Sequence, residues 1–412
     1  PKKITHTDSP PRPCRSRHIG SLKPMASASI PSREYVYLDH AATSPLRPEA
    51  HAAMEPYGDV MYANPSGSHR FAREARQVID EARDAVAEAI GCAPGEIIFT
   101  SGGTEGANSA VLGAVRRTGG TAVCSATEHH AVLHCVEHVH GVVVPVTEQG
   151  PVDPDVMREA LRTTDNVAVV SVMAVNNETG AINNLELISQ AVRRQAPNAI
   201  FHTDAVQAAC WLDLRSIWSH VDALTLSAHK FGGPKGMGIM VLRNGFNVEP
   251  LLLGGGQERD RRSGTHNVAG IVGTSVALIV TDKNRASEVA RLGALRDELI
   301  HGITNRVECA TATLASGVGI AGTAHVCLEG LESESLLYLL DEADVCVSAA
   351  SACASGAMEP SHVLAAMGVP RERIKGSLRF SLGHTTTRQH VQAAVEATVA
   401  AASRLGAKVS VS

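Results

Sequence analysis

The sequence has no run long and apolar enough to cross a bilayer. Its longest mainly apolar stretch, Ala269 to Val280, falls short of the roughly 20 residues a spanning helix needs. No leader-type apolar segment is apparent, so the chain is expected to act in the cytoplasm. It has no basic excess either. Lys and Arg number 37 against 42 Asp and Glu, a net charge of −5, which excludes the positive footprint of a direct nucleic-acid binder. There is no CxxC pair and no ligand cluster among the 9 cysteines and 19 histidines, so no metal site is expected. Cys92, Cys124, Cys135, Cys210, Cys309, Cys327 and Cys346 stand mostly in apolar surroundings and read as core or near-core thiols.

What is present is ordinary globular material. The 412 residues are 44% hydrophobic and 19% charged, enough for one large and one smaller domain. Residues 1–35, rich in Pro, Ser, Lys and Arg without periodicity, read as a disordered arm. Met25 with its Ala-Ser-Ala-Ser sequel reads as a translation start, which would make 1–24 either an upstream extension or an added, non-native segment. A helical stripe runs from about Ser68 to Ile90 and ends at Gly91. Strands are expected at Glu96–Thr100, Thr121–Ser125, Val142–Val146, Val167–Met173, Ala199–Thr203, Ala223–Ser227 and Met237–Leu242, with helices between most of them. That alternation predicts an α/β fold with a mainly parallel seven-stranded sheet covered on both faces. After about residue 283 the texture changes to a helix over Ser287–Arg306, shorter strands near His325–Leu328 and Val345–Ser348, and a closing helix near Thr387–Leu405. The expected division is a large domain over 51–283 and a smaller α+β domain built from 36–50 and 284–412.

Three strand ends carry the chemistry. Val221 to Leu226 is an apolar run that stops at Ser227-Ala228-His229-Lys230 before Gly232-Gly233-Pro234 forces a turn. This puts an amine over the edge of a sheet, where it can form a Schiff base with an aldehyde cofactor, while Ser227 and His229 can hold a phosphate. Upstream, Phe201-His202-Thr203-Asp204 ends another run in a carboxylate suited to a protonated pyridine nitrogen. After the strand at Glu96, Ser101-Gly102-Gly103-Thr104 opens a helix, and free backbone N–H groups there face an anion. Asp followed by Schiff-base Lys, each at a strand end, is the arrangement of pyridoxal 5′-phosphate (PLP) enzymes.

With these landmarks stand Tyr37-Leu38-Asp39-His40-Ala41-Ala42-Thr43, Asn64-Pro65-Ser66, Thr127-Glu128-His129, Val175-Asn176-Asn177-Glu178-Thr179-Gly180, Gly254-Gly255-Gly256-Gln257-Glu258-Arg259, Arg262-Ser263-Gly264-Thr265, Ser351-Ala352-Cys353 and Leu378-Arg379-Phe380-Ser381-Leu382-Gly383. In this order, over about 36–405, they resemble the cysteine desulfurases of the NifS/IscS type, PLP enzymes of the aspartate-aminotransferase fold (fold type I, class V). The resemblance implies that Lys230 carries PLP, Asp204 faces its ring nitrogen and His129 stacks on the ring. Gln207 and Asn176 lie at the phenolic edge. Gly103, Thr104, Ser227 and His229 hold the phosphate. Arg379 and Asn176 bind the substrate L-cysteine, the Arg through its α-carboxylate. Thr265 reaches the neighbouring subunit's cofactor, so the enzyme is a homodimer with a shared site. Cys353 is the nucleophile that receives sulfur as a persulfide and passes it to an acceptor protein, in iron–sulfur cluster assembly, tRNA thiolation or DNA phosphorothioation.

The segment around Cys353 lacks an Arg-x-Gly-His-x-Cys signature and is similar to the class with a long mobile cysteine loop. Five positions depart from the family. Gly106 replaces a common Ser, which removes a polar contact near the phosphate cup. His384 stands where Arg is frequent and softens the electrostatics near Arg379. Ala349-Ala350 replaces Ser-Gly, which predicts a Cys353 segment ordered at rest, its thiol outside attack distance until a local rearrangement. His130 stands where relatives often have Lys and is given no role. Rival readings are a selenocysteine lyase or PLP aminotransferase on the same fold, and a non-catalytic scaffold for sulfur trafficking.

Overall fold

The computed structural model describes residues 34–315, 317–349 and 360–410, with the backbone alone of 353–354 and 357–358. The expected arm therefore lies outside the described residues, apart from its last two. Tyr35–Ser412 forms one compact unit. It opens with the two-residue strand β1 (Val36–Tyr37). The large sheet follows: β2 (Ile97–Thr100), β3 (Thr121–Ser125), β4 (Val142–Val144), β5 (Val167–Ser171), β6 (Ile200–Asp204), β7 (Ala223–Ser227) and β8 (Gly238–Leu242), in the order β2-β8-β7-β6-β5-β3-β4. All pairings from β7 to β4 are parallel, and β8 is antiparallel to both its neighbours. The expected mainly parallel seven-stranded sheet is therefore present. β8 is the exception because the loop 228–237 returns the chain directly, with no crossover helix.

These strands read as unbroken apolar runs because both faces are covered. Phe99, Val170, Phe201, Leu224 and Val241 face one buried cluster. Their chain neighbours Ile98, Val169, Ile200, Ala223 and Met240 face another. With every parallel strand aligned, the polar residues that end β2, β3, β5, β6 and β7 gather along one edge of the sheet, where ligands of open α/β sheets bind.

The chain then enters a helix of 37 residues, Val268–Thr304. The expected helix began at Ser287. Its first half was not legible because Ala269–Val280 is apolar on every side, so no stripe marks it. Ile271, Ala277 and Leu278 belong to the core of the large sheet, whereas Leu292, Leu295, Leu299 and Ile303 belong to a second core. That second core packs on β9 (Ala310–Ala312), β10 (Thr323–Leu328) and β14 (Ser377–Ser381), a three-stranded antiparallel sheet. Between them β11 (Val345–Cys346) pairs with β1, and β12 (Cys353–Ala354) pairs with β13 (Ala357–Met358). The last helix is Arg388–Arg404. Among the described residues no helix is long and apolar enough to cross a membrane.

A buried ion pair ties the helix Arg70–Ile90 to the loop that carries Thr265. Arg83 donates to both carboxylate oxygens of Glu258, at 2.9 and 2.7 Å. The Phe99 N–H donates to Glu258 as well, and His266 lies 2.9 Å from it. Glu258, Arg259 and Asp260 have φ of 47, 57 and 63°, a left-handed run that costs non-glycine residues roughly 1–2 kcal/mol each. The ion pair holds that run in place. Burial raises the Glu258 carboxyl, but hydrogen bonds from His266 and Arg83 together with the Arg83 charge hold it at about 2. A carboxylate with a depressed pKa stabilises the fold above the unfolded-state value of about 4.3, and that contribution is lost as pH falls toward 2. Arg83→Ala strands this carboxylate and is expected to cost about 3–5 kcal/mol in denaturant unfolding at neutral pH. A cost below 1 kcal/mol is incompatible with this account.

Gly106 has a packing explanation. A Cβ there meets Thr225 Cγ2 at 2.6 Å and Oγ1 at 3.1 Å. Thr225 cannot turn away without loss, because its hydroxyl is 2.9 Å from His202 Nε2, whose Nδ1 is 2.8 Å from the Ser171 hydroxyl. Gly106 thus seats the helix Gly103–Thr118 on the sheet. Gly106→Ser is expected to destabilise by about 1–3 kcal/mol, read as a lower thermal midpoint; an unchanged midpoint contradicts the packing explanation.

Candidate active site at the carboxyl edge of the sheet

A cavity of about 280 Å³ opens at this edge, lined by Gly103, Thr104, His129, Asp204, Gln207, Ser227, His229, Lys230 and Arg379 among others. Nine residues singled out from the sequence meet there. The cup follows from local geometry. The helix Gly103–Thr118 starts directly after β2, so its first N–H groups lack helical partners. A Cβ at Gly103 comes within 2.7 Å of Val206 and 3.4 Å of Ser227, so only glycine lets the helix start come this close to β6 and β7. His229 lies beside the cup with Nδ1 3.1 Å from the Thr43 hydroxyl. Burial, then Lys230 and Lys235, lower its pKa to about 4, so it is neutral at pH 7.

Lys230 ends a short turn after β7. Its Nζ donates to the Ala42 carbonyl at 2.8 Å and to that of Ala41. Burial and then the Arg379 charge lower its pKa to about 8, against the opposing pull of Asp39 and Asp204. An amine so placed releases its proton near neutral pH, as a nucleophile or base must. Asp204, the last residue of β6, is 5% exposed and accepts from the Val206 N–H at 2.9 Å. Burial raises its carboxyl, and the charges of His129 and Lys230 oppose the rise. A cation at its face, such as a protonated ring nitrogen, keeps it ionised.

His129 caps the helix His130–His138 and keeps an exposed edge in the cavity. The Ala131 N–H donates to its Nδ1 at 3.0 Å, so the neutral ring carries its proton on Nε2. Burial lowers its pKa; Asp204 opposes, while Lys230, His130 and His134 add to the fall. Gln207 Nε2 donates to the Ala41 carbonyl at 2.9 Å. Arg379, 6% exposed on β14, donates to Asp39 Oδ1 and to the Asn177 carbonyl, each at 2.9 Å. Its buried Nε has no partner.

One residue expected in this cavity is placed elsewhere. Asn176 does not line the cavity. Its amide donates to the Thr127 carbonyl, and its oxygen accepts from Glu178 N–H, Thr179 N–H and the Thr179 hydroxyl. Its neighbour Asn177 faces the cavity instead. Thr265 is exposed in the loop before the long helix and does not line this cavity. The side chain of Cys353 lies outside the described residues, and so does the expected effect of Ala350 on it. All seven cysteines that are described are free, and burial raises the pKa of each. None is poised as a thiolate.

His384 does not join Arg379 in this cavity. It lines a neighbouring one with His40, Arg47 and Arg285, and burial lowers its pKa to about 4. Sequence reasoning gave no role to the carbonyls of Ala41 and Ala42, which receive Lys230, or to Asp39, which pairs with Arg379. The stretch Asp39–Thr43 was a landmark, but nothing in one sequence says which distant side chain a turn carbonyl meets. His130 rests between His134 and His362, with ring centroids 4.7 and 4.6 Å away. Among the described residues no group of three or more His, Cys, Asp or Glu is placed to hold a metal.

Comparison with known proteins agrees with this geometry. The family described as aminotransferase class-V matches residues 36–394. The chain is 41% identical over 362 residues to "Cysteine desulfurase IscS" of Dictyoglomus turgidum, across 86% of this chain and 91% of that protein. It is 41% identical over 381 residues to "IscS-like cysteine desulfurase" of Mycobacterium tuberculosis, across 89% and 96%. Among solved structures, a "NIFS-LIKE PROTEIN" superposes with a TM-score of 0.84 at 30% identity, over 90% of this chain and all of that one. Such agreement over nearly the whole length, with the strand-end residues in one cavity, makes the chain a member of the aminotransferase class-V family, of the NifS/IscS cysteine desulfurase type.

Proposed function

We propose that this cavity holds PLP and that the chain takes sulfur from L-cysteine onto Cys353, releasing L-alanine. The observation that carries the reading is that Lys230, Asp204 and Arg379, from the turn after β7, from β6 and from β14, line one cavity with the glycine cup. The residues present fit the cofactor. Gly103, Thr104, Ser227 and His229 would hold its phosphate, Asp204 its ring nitrogen, His129 a ring face, Gln207 its phenolic edge and Lys230 its aldehyde carbon. When bound, PLP supplies an electron sink.

The chain's own residues do the rest. Arg379 presents a planar guanidinium that matches an α-carboxylate. Each Nη carries a second N–H beyond its bond to Asn177 or Asp39, which leaves donors for that group. Lys230 Nζ, held near pKa 8, takes a proton from the substrate Cα and gives one back. His129 Nε2 holds a proton at the ring face. The Cys353 thiolate attacks the substrate sulfur; the C–S bond breaks with its electron pair left on the substrate β-carbon, which takes up a proton and leaves as alanine, and the persulfide remains on the enzyme. Asn176 acts through the turn that fixes Asn177, and Thr265 completes the site of a partner copy. Leu253, 83% exposed, stands in the same long loop as Thr265, which supports a homodimer. The persulfide then goes to an acceptor protein in the cytoplasm.

The test is stoichiometry. L-Cysteine with reductant should give sulfide and alanine in equal amounts, with an absorption band near the visible edge that borohydride bleaches. Pyruvate in place of alanine, or no band, overturns the reading.

A further inference from the structure

Arg379 does not wait for substrate unpaired. Its Nη2 donates to Asp39 Oδ1 at 2.9 Å, both side chains being largely shielded from solvent. Its Nη1 is held by the Asn177 carbonyl at 2.9 Å, and its Nε alone is buried without a partner. Asp39 is fixed in turn. It follows β1, its backbone bridges to Ser381 of β14, and the Tyr37 hydroxyl donates to its carbonyl at 3.0 Å. Two strands thus carry an acid and a base into contact from positions 340 residues apart. Asp39 also faces Lys230 closely enough to pull on its charge.

We infer that Asp39 is a positioning and specificity-determining residue, which aims the Arg379 guanidinium at the incoming carboxylate and sets how tightly any α-amino carboxylate is held. The two effects have opposite signs. The hydrogen bond fixes the fork, so that its free edge points one way. The negative charge already neutralises part of the guanidinium, so a substrate carboxylate arrives at a site that attracts it less than a bare Arg does. Loose holding suits an enzyme whose product, alanine, carries the same carboxylate as its substrate and must leave.

This inference rests on Arg379 as the carboxylate arm, and the experiment separates the two. In the full-length holoenzyme, Asp39→Asn keeps an acceptor for Nη2 and removes the charge, whereas Asp39→Ala removes both. Asp39→Asn should lower both KM for L-cysteine and the spectrally titrated Kd for L-alanine by about threefold to tenfold. The gain should fall on KM more than on kcat. Asp39→Ala should raise both constants above those of Asp39→Asn. An unchanged or higher KM in Asp39→Asn overturns the inference, and that variant decides alone if Asp39→Ala does not fold. Arg379→Ala tests the underlying reading: if it leaves KM unchanged, the carboxylate binds elsewhere.

Discussion

Lys230→Ala loses sulfide release from L-cysteine by roughly three orders of magnitude or more, and borohydride no longer fixes cofactor to the chain. The loss is expected to be this large because no described residue of the cavity can substitute. Among the described residues that line the cavity Lys230 is the one primary amine, and the other cation there is the Arg379 guanidinium, a planar group suited to binding a carboxylate and not to forming a Schiff base. His129 is neutral there and is held by the Ala131 N–H. Folding should survive, since the Lys230 ammonium is itself disfavoured by burial, which lowers its pKa to about 8. The control is therefore an unfolding midpoint close to that of the parent protein. Turnover within tenfold of the parent would sink the assignment of Lys230.

Cys353→Ser is expected to bind PLP, to show the spectral response to L-cysteine, and to form no persulfide. The two halves of the reaction use different residues, Lys230 and Arg379 on the substrate carbon side and Cys353 on the sulfur side. No described cysteine can replace it. Cys92 and Cys210 are pushed up to about 12 and 11 by burial. Cys346 is raised by burial and then by Asp341, Asp39 and Asp344. A thiol kept protonated is a poor nucleophile. Mass spectrometry after a cysteine pulse should find no added sulfur on Cys353→Ser. A persulfide on another cysteine at the parent rate refutes the division of labour. Full turnover without any persulfide would instead match an aminotransferase, which needs no thiol.

The two variants also show how far single residues could be read from the chain. Lys230 was legible because β7 is covered on both faces. An apolar run of that kind ends sharply, and the first polar side chains after it must stand at the sheet edge. Asp204 and the Gly103 cup follow from the same rule, and parallel alignment brings them to one edge. The expected limits of β3 and β7 coincide with the observed ones for this reason.

What the chain did not disclose depends on partners that no local pattern relates. Asn176 and Asn177 are equivalent in sequence, and the turn decides which one faces the cavity. The half of the long helix over Ala269–Val280 has no charged face to mark it, because apolar residues stand even on its exposed side, where Ile279 is 40% exposed. Arg83 and Glu258 lie 175 residues apart, and Asp39 and Arg379 lie 340 apart; only packing makes each a pair. The sequence by itself determined which residue types end which strands, since burial and strand length dictate that locally. The tertiary structure decided which charges those residues face, because a charge acts over a few ångströms of space whatever the distance along the chain.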